Sequence, residues 1–224
     1  MAAYIDKGQN YYSSCLFCFE IRFRKYQNQL VCTREYFLCL PITHILMVTT
    51  ELDLRKLIKE YPNFPIQGVL FRDVNPILRN PGALRFMAEE FKKKLDGRKI
   101  DLVVGIEARG FIIATAIAIL FQIGLILIRK AGKLPGKTMR NSYKIEYGSD
   151  TIEVQIGALG KDLDILVADD LIATGGTAIA SAKILEQAGC RIAGFAFIVE
   201  LGHLKGAKIL RDSGYEVNSL VVYD

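Results

Sequence analysis

Cysteine is scarce in most of this chain of 224 residues, and its distribution argues against a disulfide-rich or zinc-binding protein. Cys15, Cys18, Cys32 and Cys39 lie near the beginning, and only Cys190 follows them. The first two have the spacing that opens a zinc knuckle, but the next two do not form a second such pair. Since the number of cysteines is odd and no secretory signal peptide is recognisable, we expect a reducing compartment and a cytoplasmic protein.

The sequence also lacks the signals of nucleic-acid-binding and membrane proteins. No stripe of lysine and arginine is interleaved with aromatic residues, and the net charge of +5 is small, so we expect no nucleic acid as a partner. Residues 110–128 carry no charge, a length that suffices to cross a bilayer. We interpret this segment as a buried helix ended by Gly124 and followed by a central strand, "LILI", and therefore expect no membrane partner.

Helical and extended patterns alternate from residue 51 onward. Apolar residues at helical spacing predict helices over 51–61, 82–95, 111–121 and 178–189. Short apolar or alternating runs predict strands over 100–106, 125–128, 151–156, 165–168, 194–201 and 218–224. Residues 131–150 contain three glycines and a proline and predict a long loop or a loose hairpin. This order predicts an α/β fold with a mostly parallel twisted sheet flanked by helices.

The most informative segment is 165–178, "ILVADDLIATGGTA", a strand followed by two acids and a glycine turn into a helix. Asp169 and Asp170 come at the carboxyl end of that strand, so we expect both carboxylates to face the ligand crevice. Ionised carboxylates accept hydrogen bonds from vicinal hydroxyls or a hydrated divalent cation. The turn 174–177 offers glycine amides, two hydroxyls and a helix N-terminus, all of which suit an anion. Because no lysine follows the glycines, the segment is not a P-loop. The segment therefore predicts a sugar 5-phosphate as ligand.

Basic residues follow two other predicted strands. The turn 105–110, "GIEARG", ends one strand, and its backbone amides with Arg109 form a cradle for diphosphate. Arg129, Lys130 and Lys133 follow the strand "LILI" and match a leaving group rich in negative charge.

Segment 165–178 resembles the 5-phosphoribosyl 1-diphosphate (PRPP) signature of the type I phosphoribosyltransferases. Five further segments resemble the adenine phosphoribosyltransferases in order and spacing: "FPIQGVLFRDV" (64–74), "GIEARGF" (105–111), "IRKAGKLPG" (128–136), "YKIEYGSDTIEVQ" (143–155) and "VELGHLKG" (199–206). The resemblance runs from about residue 51 to residue 224. It implies the type I phosphoribosyltransferase fold, with a small hood and a long flexible loop, and a homodimer.

The resemblance also implies roles for individual residues. Those implied for the ribose and 5-phosphate of PRPP are Asp169, Asp170, Ala173, Thr174, Gly175, Gly176 and Thr177. Those implied for pyrophosphate are Glu107, Ala108, Arg109, Arg129, Lys130 and Lys133, with a cis peptide expected between the first two. Phe71 is implied to stack on adenine, and the backbones of Leu70 and Arg72 to read the purine edge. In the loop, Glu146 is implied to transfer a proton at the base, with Tyr147 beside it, and Arg109 also has a catalytic role.

Adenine and PRPP are therefore the expected substrates, with AMP and pyrophosphate as products. Mg²⁺ is expected to bind mainly through PRPP, and we assign it no certain protein ligand. Two alternatives stay open: transfer to a 6-oxopurine such as xanthine or hypoxanthine, and a non-catalytic PRPP-sensing regulator on the same fold. Residues 47–224 are expected to form the phosphoribosyltransferase domain, and residues 1–46 a dispensable N-terminal extension.

Overall fold

The computed structural model describes residues 24–26, 29–31, 52–145 and 148–224. The chain divides into two compact units, Met1–Val48 and Thr49–Asp224. The described residues of the first unit form a short antiparallel hairpin of strands β1 (Arg24–Tyr26) and β2 (Gln29–Val31). The boundary predicted between residues 46 and 47 lies outside the described residues.

The second unit alternates helices and strands, as the sequence predicts. Its helices are α1 (Leu54–Leu57), α2 (Asn75–Arg79), α3 (Pro81–Lys94), α4 (Gly110–Phe121), α5 (Gly176–Gln187) and α6 (Gly206–Asp212). Its strands are β3 (Lys59–Pro62), β4 (Leu70–Asp73), β5 (Leu102–Ile106), β6 (Gly124–Lys130), β7 (Thr138–Ile145), β8 (Gly148–Gln155), β9 (Asp164–Ile172), β10 (Arg191–Leu201) and β11 (Val217–Tyr223).

Seven strands form the central sheet in the order β11-β10-β9-β5-β6-β8-β7. The first five are parallel to one another, and the last two pair antiparallel at one edge. Residues along β9 and β10 are buried almost without interruption, because helices cover both faces of a parallel sheet. One apolar cluster packs the sheet against α3 and α4, and a second packs it against α5. The predicted fold class is confirmed.

The prediction of a helix over 51–61 is correct only for one turn. The helix ends at Leu57, and Lys59–Pro62 instead pairs antiparallel with Leu70–Asp73 to form a two-stranded hood. Local helical spacing is outweighed here because the hood gains tertiary contacts. Glu60 on β3 binds Arg72, and Phe64, just beyond the end of β3, packs edge-on against Phe71 with ring centroids 5.2 Å apart.

The uncharged segment 110–128 folds as a helix and a strand, as predicted. Its helix α4 ends at Gln122, whose left-handed φ of 58° replaces the glycine cap predicted at Gly124. Gly124 instead begins β6, which pairs with β5. Within the described part of the chain, no helix combines the length and apolarity needed to cross a membrane.

Much of the predicted loop 131–150 is a hairpin. Strands β7 and β8 pair from Thr138 opposite Gln155 to Ile145 opposite Gly148, and β8 joins the sheet through β6. The strand predicted over 151–156 forms the second half of β8, which ends at Gln155, and its residues Ile152, Glu153 and Val154 are buried. Glu146 and Tyr147 lie outside the described residues.

Candidate active site

The carboxyl ends of β5, β6 and β9 lie at one edge of the sheet because the three strands are parallel neighbours. Each is followed by a segment that the sequence singles out: the turn at Glu107, the stretch from Ala131, and the turn 174–177. A cavity of about 320 Å³ opens at this edge. It is lined by Ile106, Glu107, Ile128, Arg129, Lys130, Tyr143, Asp150, Ile152, Asp169 and Thr177. In open parallel sheets, ligands bind at this edge.

Glu107 binds the side chains of two of the three cations at and after the end of β6. Its carboxylate accepts hydrogen bonds from Arg129 Nε at 3.3 Å and from the Lys130 backbone at 2.9 Å, and it also binds Lys133 Nζ. Burial alone would raise the pKa of Glu107, but these hydrogen bonds, led by that of Lys133, lower it to about 2. The peptide bond to Ala108 is cis, as predicted. The carboxylate thus contacts the cations directly, and it also lines the cavity in which the family resemblance implies pyrophosphate.

The third cation, Lys130, has a different partner. Its side chain binds Asp150 at 2.9 Å, across the junction between β6 and β8. The hydrogen bond from Lys130 lowers the pKa of Asp150 despite partial burial. Sequence reasoning missed Asp150 because the residue lies in the segment predicted as a long loop or a loose hairpin, for which no strand register was predicted.

Arg109 links the acid pair to the hood. Its Nε lies 2.7 Å from Asp170 Oδ2, and its guanidinium lies 5.4 Å from the centre of the Phe71 ring. Arg109 and Asp170 form an ion pair, but their geometry is not that of a hydrogen bond. Among the described residues, the buried Asp170 Oδ2 has no hydrogen-bond partner. Arg109 therefore lies between the predicted ribose and adenine residues.

The two acids lie within β9, not after it, and they have different surroundings. Successive side chains of a strand point to opposite faces. Asp169 lines the cavity, whereas Asp170 is only 7% exposed and pairs with Arg109. The Asp169 carboxylate therefore faces the cavity, and the Asp170 carboxylate faces Arg109, which the family resemblance also implies for the site. Burial, followed by the neighbouring Asp170, raises the pKa of Asp169 well above its usual value.

The glycine turn encloses a smaller cavity of about 120 Å³ next to Asp169. Gly175 has a φ of 83°, and α5 begins at Gly176, so the helix N-terminus points into the turn. The lining residues include Ala173, Thr174, Gly175, Gly176 and Thr177, all of which the sequence predicts for the 5-phosphate. The Thr177 hydroxyl also donates a hydrogen bond to the Tyr143 hydroxyl at 2.9 Å, a contact that sequence reasoning missed.

The hood carries the residues predicted for adenine. Leu70 and Phe71 lie on β4, and Arg72 follows them with its guanidinium 3.4 Å from the centre of the Tyr223 ring. This stacking ties the hood to β11 through a cation–π contact. No pattern in the sequence indicates this role for Tyr223. The structure thus brings the predicted base, ribose, phosphate and pyrophosphate residues to one edge of the sheet, except for Glu146, which lies outside the described residues.

Comparison with known proteins agrees with this arrangement. Residues 73–221 match the family model described as phosphoribosyl transferase domain. The adenine phosphoribosyltransferase of Nitrosopumilus maritimus is 52% identical over 172 residues, which cover 77% of this chain and 100% of that protein. The crystal structure of adenine phosphoribosyltransferase from Thermoanaerobacter pseudethanolicus superposes with a TM-score of 0.73 at 38% identity, covering 76% of this chain and 98% of that one. The enzyme from Trypanosoma brucei, solved with AMP, pyrophosphate and ribose-5-phosphate, gives 0.69 at 28% identity, covering 75% and 78%.

Proposed function

Because the chain belongs to the adenine phosphoribosyltransferase family, we propose that it transfers the 5-phosphoribosyl group of PRPP to adenine in purine salvage. AMP and pyrophosphate are the products. The observation that carries this proposal is a pair of cavities that share Asp169 and Thr177. The larger is lined by Glu107, Arg129 and Lys130, and the smaller is enclosed by the glycine turn. A ligand with hydroxyls between two separate phosphate groups fits that order of side chains.

The residues around the cavity suit substitution at the anomeric carbon of PRPP. Loss of diphosphate from this carbon develops positive charge on the ribose, as in glycoside hydrolysis, and negative charge on the leaving group. Arg129, Lys130 and Lys133 stabilise the departing pyrophosphate. Asp169 accepts hydrogen bonds from the ribose hydroxyls, and the amides of the turn 174–177 bind the 5-phosphate.

Adenine is proposed to bind under the hood. Phe71 stacks on the purine ring, the backbones of Leu70 and Arg72 read its edge, and Arg109 lies between Phe71 and Asp170. Glu146, with Tyr147 beside it, takes the proton that the base loses when its nitrogen bonds to the ribose.

Mg²⁺ is proposed to arrive with PRPP. Among the described residues, no group of three or more histidine, cysteine or acidic side chains is arranged to hold a metal. The diphosphate of PRPP would supply most of the ligands of the ion, and we assign it no certain protein ligand. Such an ion would add positive charge beside the leaving group.

The choice of base tests the proposal directly. Purified protein with Mg²⁺ and PRPP is expected to form AMP from adenine at least about tenfold faster than mononucleotides from hypoxanthine, guanine or xanthine. A site that accepts a hydrogen bond from the 6-amino group meets a repelling acceptor when that group is a carbonyl. Comparable rates with hypoxanthine would make the protein a 6-oxopurine transferase. PRPP binding without turnover of any base would make it a regulator.

We propose that the protein is a homodimer and that it is located in the cytoplasm. The family resemblance supports the dimer, and Ile112 and Ile119 on α4 leave 45% and 73% of their surfaces exposed for a second copy to cover.

Residues 1–46 are proposed to be dispensable. The division of the chain after Val48 and the relative matched over 100% of its length by 77% of this chain support that proposal. A protein that starts at Met47 is expected to match the full chain in melting temperature, dimeric state and rate of AMP synthesis, because the described residues of its core lie from Leu52 onward. These three quantities, measured side by side, test the prediction. An insoluble, monomeric or inactive short protein would make the extension part of the fold.

A further inference from the structure

Glu153 is a fully buried carboxylate at the base of the β7–β8 hairpin. Four donors surround it: the backbone amides of Lys133 at 2.8 Å and Leu134 at 2.9 Å, the Thr138 hydroxyl at 3.2 Å, and Arg140 Nε at 3.0 Å. A buried carboxylate is costly unless hydrogen bonds replace its water. Nothing in the proposed chemistry yet uses this arrangement.

The carboxylate stays ionised in spite of its burial. Burial alone would raise the pKa of Glu153, but the hydrogen bonds, led by those from the Leu134 and Lys133 amides, lower it below its ordinary value. Only the ionised form accepts from all four donors, because a protonated carboxyl must use one oxygen as a donor. Glu153 on β8 therefore places a negative charge against the segment that follows β6.

Glu153 and Arg129 hold the backbone of Lys133 from both sides. The Lys133 amide donates to Glu153, while the Lys133 carbonyl accepts a hydrogen bond from the Arg129 guanidinium at 3.3 Å. Arg129 and Glu153 are themselves paired across β6 and β8. With its backbone fixed, Lys133 extends its ammonium group to Glu107 at the cavity.

We propose that Glu153 is a positioning residue that places the Lys133 ammonium for the leaving pyrophosphate. This inference rests on the proposed function. Residues 131–137 connect two strands and carry no regular hydrogen-bonding pattern of their own, so the side chain of Lys133 depends on such an external anchor. Small displacements of a charged group from its productive position are expensive, since about 1 Å can cost about a hundredfold in rate.

The Glu153→Gln substitution keeps the shape of the side chain and removes its charge. We expect the KM for PRPP, and the KM for pyrophosphate in the reverse reaction, to rise at least about tenfold, while the KM for adenine changes less than about twofold. A purely structural role would instead lower the melting temperature and change all three values alike. Glu153→Asp, which keeps the charge and shortens the reach, should show the same split, and it provides a second variant if the first does not fold.

A double-mutant cycle separates action through Lys133 from other effects. In a Lys133→Ala background, Glu153→Gln should cause little further loss, because the group that it positions is already absent. Glu200 supplies a matched control, since this carboxylate is also buried and held by an arginine, Arg211, but lies on β10. Glu200→Gln is expected to lower stability without the selective rise for PRPP and pyrophosphate.

Two results would overturn the inference: losses from Glu153→Gln and Lys133→Ala that add fully, or equal changes in KM for adenine and PRPP. Failure of the proposed function is a different outcome, because the wild-type protein would then form no AMP from adenine and PRPP.

Discussion

Replacing Gly206 by alanine is expected to lower kcat/KM for PRPP by about a hundredfold, the size of effect that a shift of about 1 Å produces in a binding site. A Cβ atom at Gly206 would lie 2.2 Å from the carbonyl oxygen of Ala173 and 2.5 Å from the amide nitrogen of Gly175. Both atoms belong to the backbone at and just before the glycine turn 174–177, and backbone atoms cannot rotate away as a side chain can. The turn and the first residue of α6 would have to separate, and the 3.0 Å hydrogen bond from the Gly206 amide to Ala173 would break.

Steady-state kinetics and thermal denaturation check this prediction. Gly157→Ala is the control, because a Cβ there meets nothing within 4 Å, and it should leave kcat/KM for PRPP unchanged. Because the displaced turn is proposed to bind only the phosphoribosyl part of PRPP, the KM for adenine should change far less than that for PRPP. Wild-type kinetics in folded Gly206→Ala protein would mean that the contact between the turn and α6 does not shape the phosphate site.

The sequence predicts the central sheet well because its strands are specified locally. Continuous apolar runs such as 165–168 indicate strands that are buried on both faces. Glycines, and the change from continuous apolar runs to apolar residues at helical spacing, mark where each strand ends and a helix begins. The same local reasoning fails at Lys59–Pro62, where the partner strand β4 and the contacts of the hood decide the conformation. It also fails at the cap of α4, since Gln122 adopts the left-handed conformation that a glycine was expected to supply.

In the site, sequence reasoning finds the residues that cluster along the chain and misses those contributed by other strands. The turn 174–177 is one such short segment, and residues 129–133, which contain the three cations at and after the end of β6, are another. Tyr143, Asp150 and Glu153 reach the same site only through the register of the β7–β8 hairpin. That register depends on cross-strand pairing, which hydrophobic spacing does not specify within a polar, glycine-containing segment.

The Asp169→Asn variant is expected to be more stable than the wild-type protein at pH 7 and less active. Asp169→Asn keeps the shape of the side chain, and its amide oxygen can still accept the 2.9 Å hydrogen bond from the Asp170 backbone. The variant loses the charge that is proposed to face the ribose hydroxyls. We therefore expect kcat/KM for PRPP to fall by at least about tenfold, equivalent to about 1.4 kcal/mol of transition-state stabilisation.

The expected gain in stability follows from the direction of the pKa shift. Burial and the neighbouring Asp170 raise the pKa of Asp169 well above its unfolded value of 3.8. A carboxyl that binds its proton more tightly in the folded state reduces stability at any pH above its unfolded pKa. This cost is absent at low pH, where the group is protonated in both states, and grows as the pH rises from about 3.8 toward the folded pKa. Asparagine carries no such cost.

The free energy of unfolding of Asp169→Asn should accordingly exceed that of the wild-type protein at pH 7, and the difference should shrink as the pH approaches 3.8. Urea denaturation at several pH values measures it, and AMP synthesis on the same samples measures the loss of activity. Asp212→Asn is the matched control: its carboxylate binds Lys208 at the surface with 62% of its side chain exposed, so neither quantity should change appreciably. A less stable Asp169→Asn at pH 7 would show that the carboxylate stabilises the fold, and full activity would remove Asp169 from the PRPP site. Stability gained together with activity lost is the pattern of a charge that the fold tolerates because the substrate requires it.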